Sequence, residues 1–362
     1  MDRALELAHE SLFVTSPNPR VGCVLVGPDG RVIGTGRTQQ AGGAHAEVMA
    51  LRDAQAGGYV TQGATAYVTL EPCSHHGRTG PCCDALVAAG IARVVASIAD
   101  PNPLVGGRGF ERLRAAGISV EVGCGAEESR ELNIGFFSRM IRKKPWVRLK
   151  AAISLDGFTA MPSGESQWIT SEAARSDGHL WRARSCAVLT GVGTVLADNP
   201  RLNVRNIDTP RQPMVVVCDS QLRTPPEAVL FDCDRRVLMY TASRDESLVQ
   251  RLKSRGAEVR RVDGTKRGRM DLRMVLEDLA QEGVNELHVE AGAILNGSLL
   301  ASGLVDELLM YVAPTLLGSG VGVARMPPLG RLSEAPRFDY VSALPVGGDI
   351  RLIARSHGAN DF

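Results

Sequence analysis

A histidine, a glutamate and two cysteines between residues 45 and 83 are the clearest candidates for chemistry in this sequence. The chain reads H-A-E at residues 45–47, and Cys73 and Cys82 follow with eight residues between them. One imidazole and two thiolates fit three corners of a tetrahedral zinc site, and the fourth corner stays open for water. Zinc in such a site activates water for attack on an amino-bearing ring carbon, and Glu47 is placed to transfer the protons. The spacing therefore predicts a catalytic metal site with His45, Cys73 and Cys82 as ligands.

The elements predicted around these residues bring the three ligands toward one point. His45 opens a helix predicted to reach about residue 54, and Cys73 follows a strand predicted at residues 65–70. Pro81 suits the first turn of a helix that starts at Cys82, where exposed backbone N–H groups stabilise a thiolate. Side chains two residues apart on a regular helix point roughly 200° apart, so Glu47 reaches the metal only through the geometry of the first turn.

A closed, structural zinc site is the alternative for this stretch. His75, His76 or Cys83 could supply a fourth ligand, and the metal would then have no open position. That alternative leaves the H-A-E triplet unexplained, and Cys83 also suits the inner side of a helix. The remaining cysteines have the character of small apolar residues in or near strands and turns, namely Cys23, Cys124, Cys186, Cys218 and Cys233.

Composition restricts the class of protein. The 362 residues are 44% hydrophobic and 22% charged, which is typical of a folded chain of about two domains. A net charge of +1 and an aromatic content of 4% argue against nucleic acid or an anionic membrane as the partner. No apolar run is long enough to span a bilayer, and the N-terminus lacks the apolar core of a signal peptide. Eight cysteines in a chain of this length suit a reducing compartment, so we expect a cytoplasmic protein.

Alternating strands and helices in both halves predict an α/β protein with largely parallel sheets and helices on both faces. The composition turns basic at residue 138 and ends at Pro145, which predicts a boundary between domains at 1–143 and 145–362. A helix at residues 2–13 and a hairpin of strands at 21–26 and 32–36 are predicted in the first half. The second half has predicted strands at 146–153, 187–190, 214–218, 236–240, 257–262 and 286–290, helices at 172–184 and 271–281, and a final strand pair at 307–313 and 350–354.

The loop between the two cysteines makes a resemblance to one family specific. The segments T-S-P-N-P-R-V-G (15–22), H-A-E (45–47) and T-L-E-P-C-S-H-H-G-R-T-G-P-C-C (69–83) resemble the deaminase half of the bifunctional riboflavin-biosynthesis deaminase/reductase family. The resemblance implies a cytidine-deaminase-like three-layer domain. In that domain Zn²⁺ is bound by His45, Cys73 and Cys82, Glu47 is the proton donor, and Asn18 helps to hold the pyrimidine. Gly80 departs from the family, which usually has Pro there.

Residues 150–157, 164–171, 194–202 and 289–298 resemble the reductase half of the same family, so the resemblance spans nearly the whole chain. It implies a dihydrofolate-reductase-like α/β domain that uses NADPH. The implied cofactor contacts are Ala152, Trp168, Thr194, Asp198, Gly292, Ala293, Ile294, Leu295, Asn296, Gly297 and Ser298. The implied substrate contacts are Ser166, Arg182, Leu202, Arg205 and Glu290, with Lys150 as a further candidate. From the residues alone, a strand followed by Gly292 and a helix start can hold a phosphate, or can simply be a turn that needs glycine.

The expected function is therefore a two-step enzyme of riboflavin biosynthesis. It would hydrolyse the amino group from a diamino-ribosylamino-pyrimidinone phosphate and then reduce the ribose of the product to ribityl with NADPH. The expected partner is this small pyrimidine ribosyl phosphate, without nucleic acid or membrane, and the family makes a homo-oligomer plausible. The alternatives are a nucleic-acid or nucleoside base deaminase with an accessory or inactive C-terminal domain, and a non-catalytic binding module stabilised by zinc.

Overall fold

The computed structural model describes residues 1–75, 80–103, 105–262 and 270–360. The chain divides into two units, Met1–Lys143 and Lys144–Phe362, and each unit has its own sheet and buried apolar core. The α/β class predicted from the alternating pattern is confirmed in both units. Among the described residues, no helix has both the length and the apolar content needed to cross a membrane.

The first unit has a five-stranded sheet in the order β2-β1-β3-β4-β5. Its strands are β1 (Gly22–Val26), β2 (Val32–Arg37), β3 (Thr65–Val68), β4 (Arg93–Ala96) and β5 (Ser119–Val122). Its helices are α1 (Asp2–Glu10), α2 (Ala46–Ala56), α3 (Cys82–Ala88), α4 (Arg108–Ala115), α5 (Ala126–Leu132) and α6 (Ile134–Arg142). The predicted hairpin of β1 and β2 is confirmed. The sheet is mixed rather than largely parallel, because β1 is antiparallel to both β2 and β3.

Two glycines of β2 let the helix that carries the candidate site lie directly on the sheet. A Cβ at Gly36 would come within 2.2 Å of the carbonyl oxygen of Ala46, and one at Gly34 within 2.3 Å of that of Ala50. The helix side that faces the strand is correspondingly made of alanines, and Ala46 and Ala50 are fully buried. This close packing holds the first turn of α2, and with it residues 45–47, at a defined depth in the unit.

The second unit has a nine-stranded sheet in the order β11-β10-β9-β8-β12-β6-β13-β16-β15. Its strands, including the separate pair β7 and β14, are β6 (Trp146–Ser154), β7 (Phe158–Ala160), β8 (Ala187–Gly191), β9 (Met214–Cys218), β10 (Val237–Thr241), β11 (Ala257–Arg261), β12 (Glu286–Val289), β13 (Glu307–Ala313), β14 (Val321–Gly322), β15 (Phe338–Val346) and β16 (Asp349–Ser356). Its helices are α7 (Glu172–Arg184), α8 (Val192–Asp198), α9 (Glu246–Lys253), α10 (Leu272–Gln281) and α11 (Ala293–Ala301). The strands from β11 to β13 pair in parallel, as predicted, and β16 and β15 extend the sheet in antiparallel fashion.

Local signals explain where the predicted elements begin. The hydroxyl of Ser171 accepts a hydrogen bond from the backbone N–H of Ala174 and caps α7, which spans the predicted residues. The Asp271 carboxylate accepts from the N–H of Arg273 in the same way at the start of α10. Strand β10 is buried along its whole length, because helices cover both faces of a parallel sheet.

The elements that were not predicted include α5, α6, β7, β14 and β15. Residues 138–142, at the start of the basic stretch that predicted the domain boundary, form the last turns of α6, and the two units divide after this helix, between Lys143 and Lys144. Ser138 is fully buried, and its hydroxyl accepts a hydrogen bond from the Arg142 guanidinium at 2.6 Å. The basic composition masked a helix whose other side buries Phe136 and Phe137.

Candidate active sites

The first candidate site is a cluster of His45, Cys73 and Cys82. His45 is the residue before the first turn of α2, Cys73 follows β3, and Cys82 is the first residue of α3. Nδ1 of His45 lies 3.3 Å from Sγ of Cys82 and 3.6 Å from Sγ of Cys73. Donor atoms of a tetrahedral zinc ion with Zn–N and Zn–S bonds of about 2.0 and 2.3 Å lie roughly 3.3–3.8 Å apart. The spacing of these three atoms therefore fits zinc.

The protonation chemistry of the cluster also suits a metal. Cys73 accepts hydrogen bonds from the Cys82 thiol, from His45 and from the Cys82 backbone N–H, and these lower its pKa to about 4. The hydrogen bond to Cys73 and burial raise the pKa of Cys82. The start of a helix thus stabilises one thiolate of a close pair, as expected for cysteines at helix N-termini. Thiolate and imidazole donors together are the set that zinc prefers.

Glu47 lies in the first turn of α2 with 3% of its surface exposed, and it lines the same cavity as His45 and Cys73. Burial, followed by the charge of Cys73, raises the pKa of Glu47 to about 7. The side chains of His45 and Glu47 are not fixed roughly 200° apart, as two such positions on a regular helix would be. The reason is that His45 has extended backbone angles (φ −76°, ψ 166°) and lies outside the helix. A carboxyl group with such a pKa can both accept and donate a proton near neutral pH.

The cavity in front of the cluster has a volume of about 360 Å³, within the range of small-molecule sites. Asn18 and His75, both singled out from the sequence, lie in its wall. The polar lining residues that the sequence reasoning missed are Thr38, Glu71, Asp100, Asn102 and Arg139. The D-P-N-P segment at residues 100–103, directly after a strand, was a usable signal for two of them.

Glu71 organises the loop that forms part of this wall. Its buried carboxylate accepts hydrogen bonds from the backbone N–H groups of Asp100 at 3.1 Å and Gly107 at 3.0 Å. It also accepts from Gly109 at 2.8 Å and from Phe110 at 3.3 Å, both at the start of α4. A carboxylate at a helix N-terminus is favoured by the aligned backbone dipoles. Glu71 therefore fixes the position of Asp100 and of the start of α4 relative to the metal cluster.

The alternative of a fourth protein ligand finds little support near the cluster. Among the described residues, His45, Cys73 and Cys82 are the one group of three or more possible metal donors that lie close together. The Cys83 thiol points elsewhere and donates to the carbonyl oxygen of Pro72 at 3.2 Å. His76 lies outside the described residues.

The second candidate site lies in the second unit around Lys150, Arg182 and Glu290. Lys150 is on β6, Arg182 on α7, and Glu290 directly follows β12. The Arg182 guanidinium forms a two-point ion pair with Glu290, with Nη2 2.9 Å from Oε2, and its Nη1 donates to the Asn203 carbonyl oxygen at 3.0 Å. Burial works against the charge of Glu290, but Arg182, His288 and Lys150 outweigh it and hold its pKa well below the ordinary value.

This pairing distinguishes Arg182 from Arg205, the two arginines that the resemblance implies as substrate contacts. Arg182 is held by a carboxylate in the structure, whereas Arg205 is exposed and donates from Nη1 to the side-chain oxygen of Asn203 at 2.6 Å. No carboxylate among the described residues lies within ion-pair distance of Arg205. Arg205 is therefore the guanidinium that is more accessible to an anionic group of a ligand.

Two helix starts meet at the carboxyl edge of the second sheet. Helix α8 begins directly after β8 and α11 begins after β12, and these strands are parallel neighbours. A Cβ at Gly292 would lie 3.6 Å from Oγ1 of Thr194, and one at Gly191 would lie 3.3 Å from Leu295. The predicted cofactor residues Thr194, Gly292 and Leu295 are thus brought together, where helix N-termini favour phosphate.

Other residues of the predicted cofactor turn face the protein interior. Asn296 is buried, and its amide donates to the carbonyl oxygens of Ala291 at 3.0 Å and Val323 at 2.9 Å. A Cβ at Gly297 would come within 2.1 Å of the Arg325 carbonyl oxygen, and the Ser298 hydroxyl donates to Ile294 at 3.0 Å. The contacts of Asn296 with Val323 and of Gly297 with Arg325 hold α11 against residues 323–325, whereas the Ser298 bond lies within the helix.

The remaining predicted residues are more dispersed. Ser166 and Trp168 lie on the segment between β7 and α7, and the 69%-exposed Trp168 ring is covered by the Arg175 guanidinium at 4.4 Å. Leu202 is buried in an apolar cluster, whereas Asp198 is exposed at the end of α8. Ala152 lies on β6, two residues beyond Lys150.

A buried charged face below the second site was not predicted. Arg148 on β6 is 1% exposed, and its guanidinium pairs with Glu286 at 3.0 Å and with Glu307. Arg184 of α7 pairs with the same Glu286 at 2.6 Å. The signal was the alternation E-L-H-V-E at residues 286–290, since polar residues at every second position of a strand share one face.

Fold and site together define a zinc-dependent deaminase domain joined to an α/β reductase domain. Residues 1–98 match the family model described as "Cytidine and deoxycytidylate deaminase zinc-binding region", and residues 145–352 match "RibD C-terminal domain". The chain is 48% identical to the riboflavin biosynthesis protein RibD of Escherichia coli K12 over 97% of each chain. It therefore belongs to the RibD family of riboflavin biosynthesis proteins.

Solved structures agree with this membership. A RibD structure from Acinetobacter baumannii matches with a TM-score of 0.88 at 43% identity, over 98% of this chain and 97% of the other. A diaminohydroxyphosphoribosylaminopyrimidine deaminase/5-amino-6-(5-phosphoribosylamino)uracil reductase from Thermotoga maritima matches with a TM-score of 0.87 at 34% identity, over the same shares. The chain is thus a bifunctional riboflavin-pathway enzyme, with a deaminase that uses zinc and a reductase that uses NADPH. The alternative of a base deaminase with an accessory C-terminal domain is not favoured, since the match covers both halves.

Proposed function

We propose that residues 1–143 remove the amino group from a diaminohydroxyphosphoribosylaminopyrimidine and that residues 145–362 then reduce the ribose of the product to ribityl. The observation that carries the proposal is the coexistence of two sites in one chain. One is the His45, Cys73 and Cys82 cluster with buried Glu47, and the other is the Lys150, Arg182 and Glu290 cluster beside two helix starts.

In the deaminase site, His45, Cys73 and Cys82 would hold the zinc, which supplies Lewis-acid activation of water when bound. Glu47 takes a proton from the attacking water and delivers it to the leaving nitrogen, because its carboxyl group faces the same cavity and has a pKa of about 7. Asn18 and Asn102 both line the cavity and would offer amide groups to the pyrimidine ring. The burial of Glu47 keeps bulk water from competing for its proton.

In the reductase site, NADPH supplies the hydride that the sugar carbon receives. The starts of α8 and α11, with Thr194 and Gly292, would bind phosphate groups of the cofactor. Glu290 orients the hydroxyl groups of the ribose, and Lys150 donates a hydrogen bond to the sugar oxygen next to the carbon that is reduced. Arg205, which is exposed and lacks a carboxylate partner among the described residues, binds the terminal phosphate of the substrate.

The substrate is a small molecule, because the cavity of the first unit has a volume of about 360 Å³ and the chain carries a net charge of +1. The eight cysteines are free thiols, which supports a reducing compartment, and we place both reactions in the cytoplasm. The family resemblance favours a homo-oligomer, which light scattering of the purified protein tests directly.

One experiment tests the order of the reactions. The zinc-loaded protein receives the diamino pyrimidine phosphate with and without NADPH, and ammonia and NADPH are followed together. Ammonia release without NADPH, and NADPH oxidation only after deamination, are expected. Oxidation of NADPH on the unprocessed diamino substrate would reverse the order. Ammonia release from an RNA oligonucleotide but not from the free nucleotide would replace the proposal with a nucleic-acid deaminase.

A further inference from the structure

The ring of Tyr311 lies beneath the candidate lysine of the reductase site. Tyr311 is on β13 and 1% exposed, and Nζ of Lys150 lies 5.8 Å from the centre of its ring. Parallel pairing of β6 and β13 aligns Lys150 with Leu309 and Ala152 with Tyr311, so Lys150 and Tyr311 are diagonal neighbours on one face. A cation within about 6 Å of an aromatic face is attracted by the ring quadrupole.

The other groups facing Lys150 leave its ammonium without a close carboxylate. Glu290, after β12, is engaged by Arg182 through both oxygens, and His288 lies 3.4 Å from Oε1. His179 and Arg182 on α7 contribute a neutral imidazole and a like charge. No carboxylate among the described residues lies within 4.0 Å of the ammonium of Lys150. The charge of Glu290 and the aromatic face are therefore the two features that favour the charged lysine.

The Tyr311 ring is itself fixed by an ionic pair on its far side. The hydroxyl donates to Oδ2 of Asp177 at 2.5 Å, and Nη1 of Arg351 contacts both Asp177 oxygens at 2.9 and 3.0 Å. Leu309 and the half-buried Trp181 complete the packing around the ring. These contacts come from α7, β13 and β16, so the ring has one defined orientation below β6.

We propose that Tyr311 is a positioning residue of the reductase site, whose ring holds the Lys150 ammonium beside Glu290 while Asp177 and Arg351 hold the ring. The proposal rests on the role of Lys150 given above. Burial lowers the pKa of Lys150, the charge of Glu290 opposes this, and the nearby Arg182 adds to the lowering. The attraction of the Tyr311 ring acts in the same direction as Glu290. Weakening the ring quadrupole should therefore cause Lys150 to lose its proton at a lower pH.

The test replaces Tyr311 with phenylalanine and then with mono-, di- and trifluorinated phenylalanine in the full chain. Fluorine withdraws charge from the ring face with little change in shape, so packing is preserved. The readout is the pH profile of kcat/KM for NADPH-dependent reduction of the supplied deaminated intermediate. Each added fluorine should move the alkaline limb to lower pH, by about one unit in total, so kcat/KM measured on that limb should fall by about tenfold.

Thermal unfolding followed by circular dichroism reports on folding of each variant, and ammonia release by the first unit should not change. A pH profile that is the same across the fluorinated series would overturn the proposal, as would an equal loss in the phenylalanine and trifluorinated variants. Lys150→Met separates this failure from failure of the proposed function. If Lys150→Met reduces the intermediate at the normal rate, the role of Lys150 is wrong, whatever the Tyr311 series shows.

Discussion

The Glu71 carboxylate accepts a hydrogen bond from the backbone N–H of Gly109 at 2.8 Å, and this contact ties the metal cluster to the start of α4. Glu71 stands two residues before Cys73, and a Cβ at Gly109 would come within 2.1 Å of the Pro72 carbonyl oxygen. The cysteine loop and the start of the helix are therefore in direct backbone contact. The wall of the deaminase cavity and the ligand Cys73 depend on the same carboxylate.

Glu71→Gln should weaken this connection. The amide oxygen of glutamine still accepts some of the hydrogen bonds, but its NH2 group is a donor and would face backbone N–H donors. We therefore expect a loss of about 2–3 kcal/mol in unfolding free energy. Ammonia release should fall with it, while bound zinc is retained. Calorimetry, metal analysis and an ammonia assay measure the three quantities. Glu127→Gln, at an exposed position of α5, is the control and should leave all three unchanged.

Glu47→Gln should stop deamination and spare reduction. Loss of a positioned general acid/base costs about 10²–10⁴-fold in rate, and zinc content should remain one per chain. The measurement is ammonia release from the diamino substrate beside NADPH oxidation on supplied deaminated intermediate. A folded variant that loses both activities would contradict independent sites.

Cys73→Ser and Cys82→Ser should each remove zinc. Loss of a ligand should weaken zinc binding by more than the roughly 10–100-fold that loss of an outer hydrogen-bond partner costs. Competition with a chromophoric chelator measures the affinity. Cys83→Ser is the matched control, because this neighbouring thiol donates to the Pro72 carbonyl oxygen instead of joining the cluster. If Cys83→Ser releases zinc as readily, the metal site is not the one assigned here.

Arg148→Met should destabilise the second unit by about 3–5 kcal/mol, because it leaves the buried Glu286 and Glu307 without their shared partner. Arg236→Met removes the ion pairs of a partly exposed arginine with Glu258 and Glu282 and should cost less than about 1 kcal/mol. Denaturant unfolding followed by circular dichroism compares the two variants. If Arg148→Met and Arg236→Met lower the unfolding free energy equally, burial of the Arg148 ion pairs adds nothing to their contribution to stability.

The same pair predicts a pH dependence. Burial alone would raise the pKa of Glu307, but Arg148 and Arg355 outweigh it, so the pKa lies below the ordinary value. A carboxyl group whose pKa is lowered by folding stabilises the fold at pH values above the ordinary pKa of glutamate. That stabilisation is lost as the pH falls through the lowered pKa of the folded state. The difference in stability between the wild type and Arg148→Met should therefore shrink in acid. Unfolding at a series of pH values checks this, and a gap that widens in acid would contradict the sign.

Much of the secondary structure could be predicted because its signals are local. Helix α7 spans the predicted residues since Ser171 caps it and its apolar positions recur with helical period. The predictions failed where composition was misleading. Helix α6 was not predicted because the basic residues at its end marked a domain boundary, and β15 is largely exposed, so it lacks the apolar pattern of a core strand.

The amino-acid sequence by itself determined the chemistry of the first site, because the ligand types His, Cys and Cys and the nearby glutamate are written in short motifs. Only the tertiary structure decided that His45 precedes its helix, so that it shares a cavity with Glu47. It also decided that Arg182 is held by Glu290, 108 residues away along the chain. Such pairings depend on which strands and helices become neighbours, and side chains far apart in sequence carry no local signal of that contact.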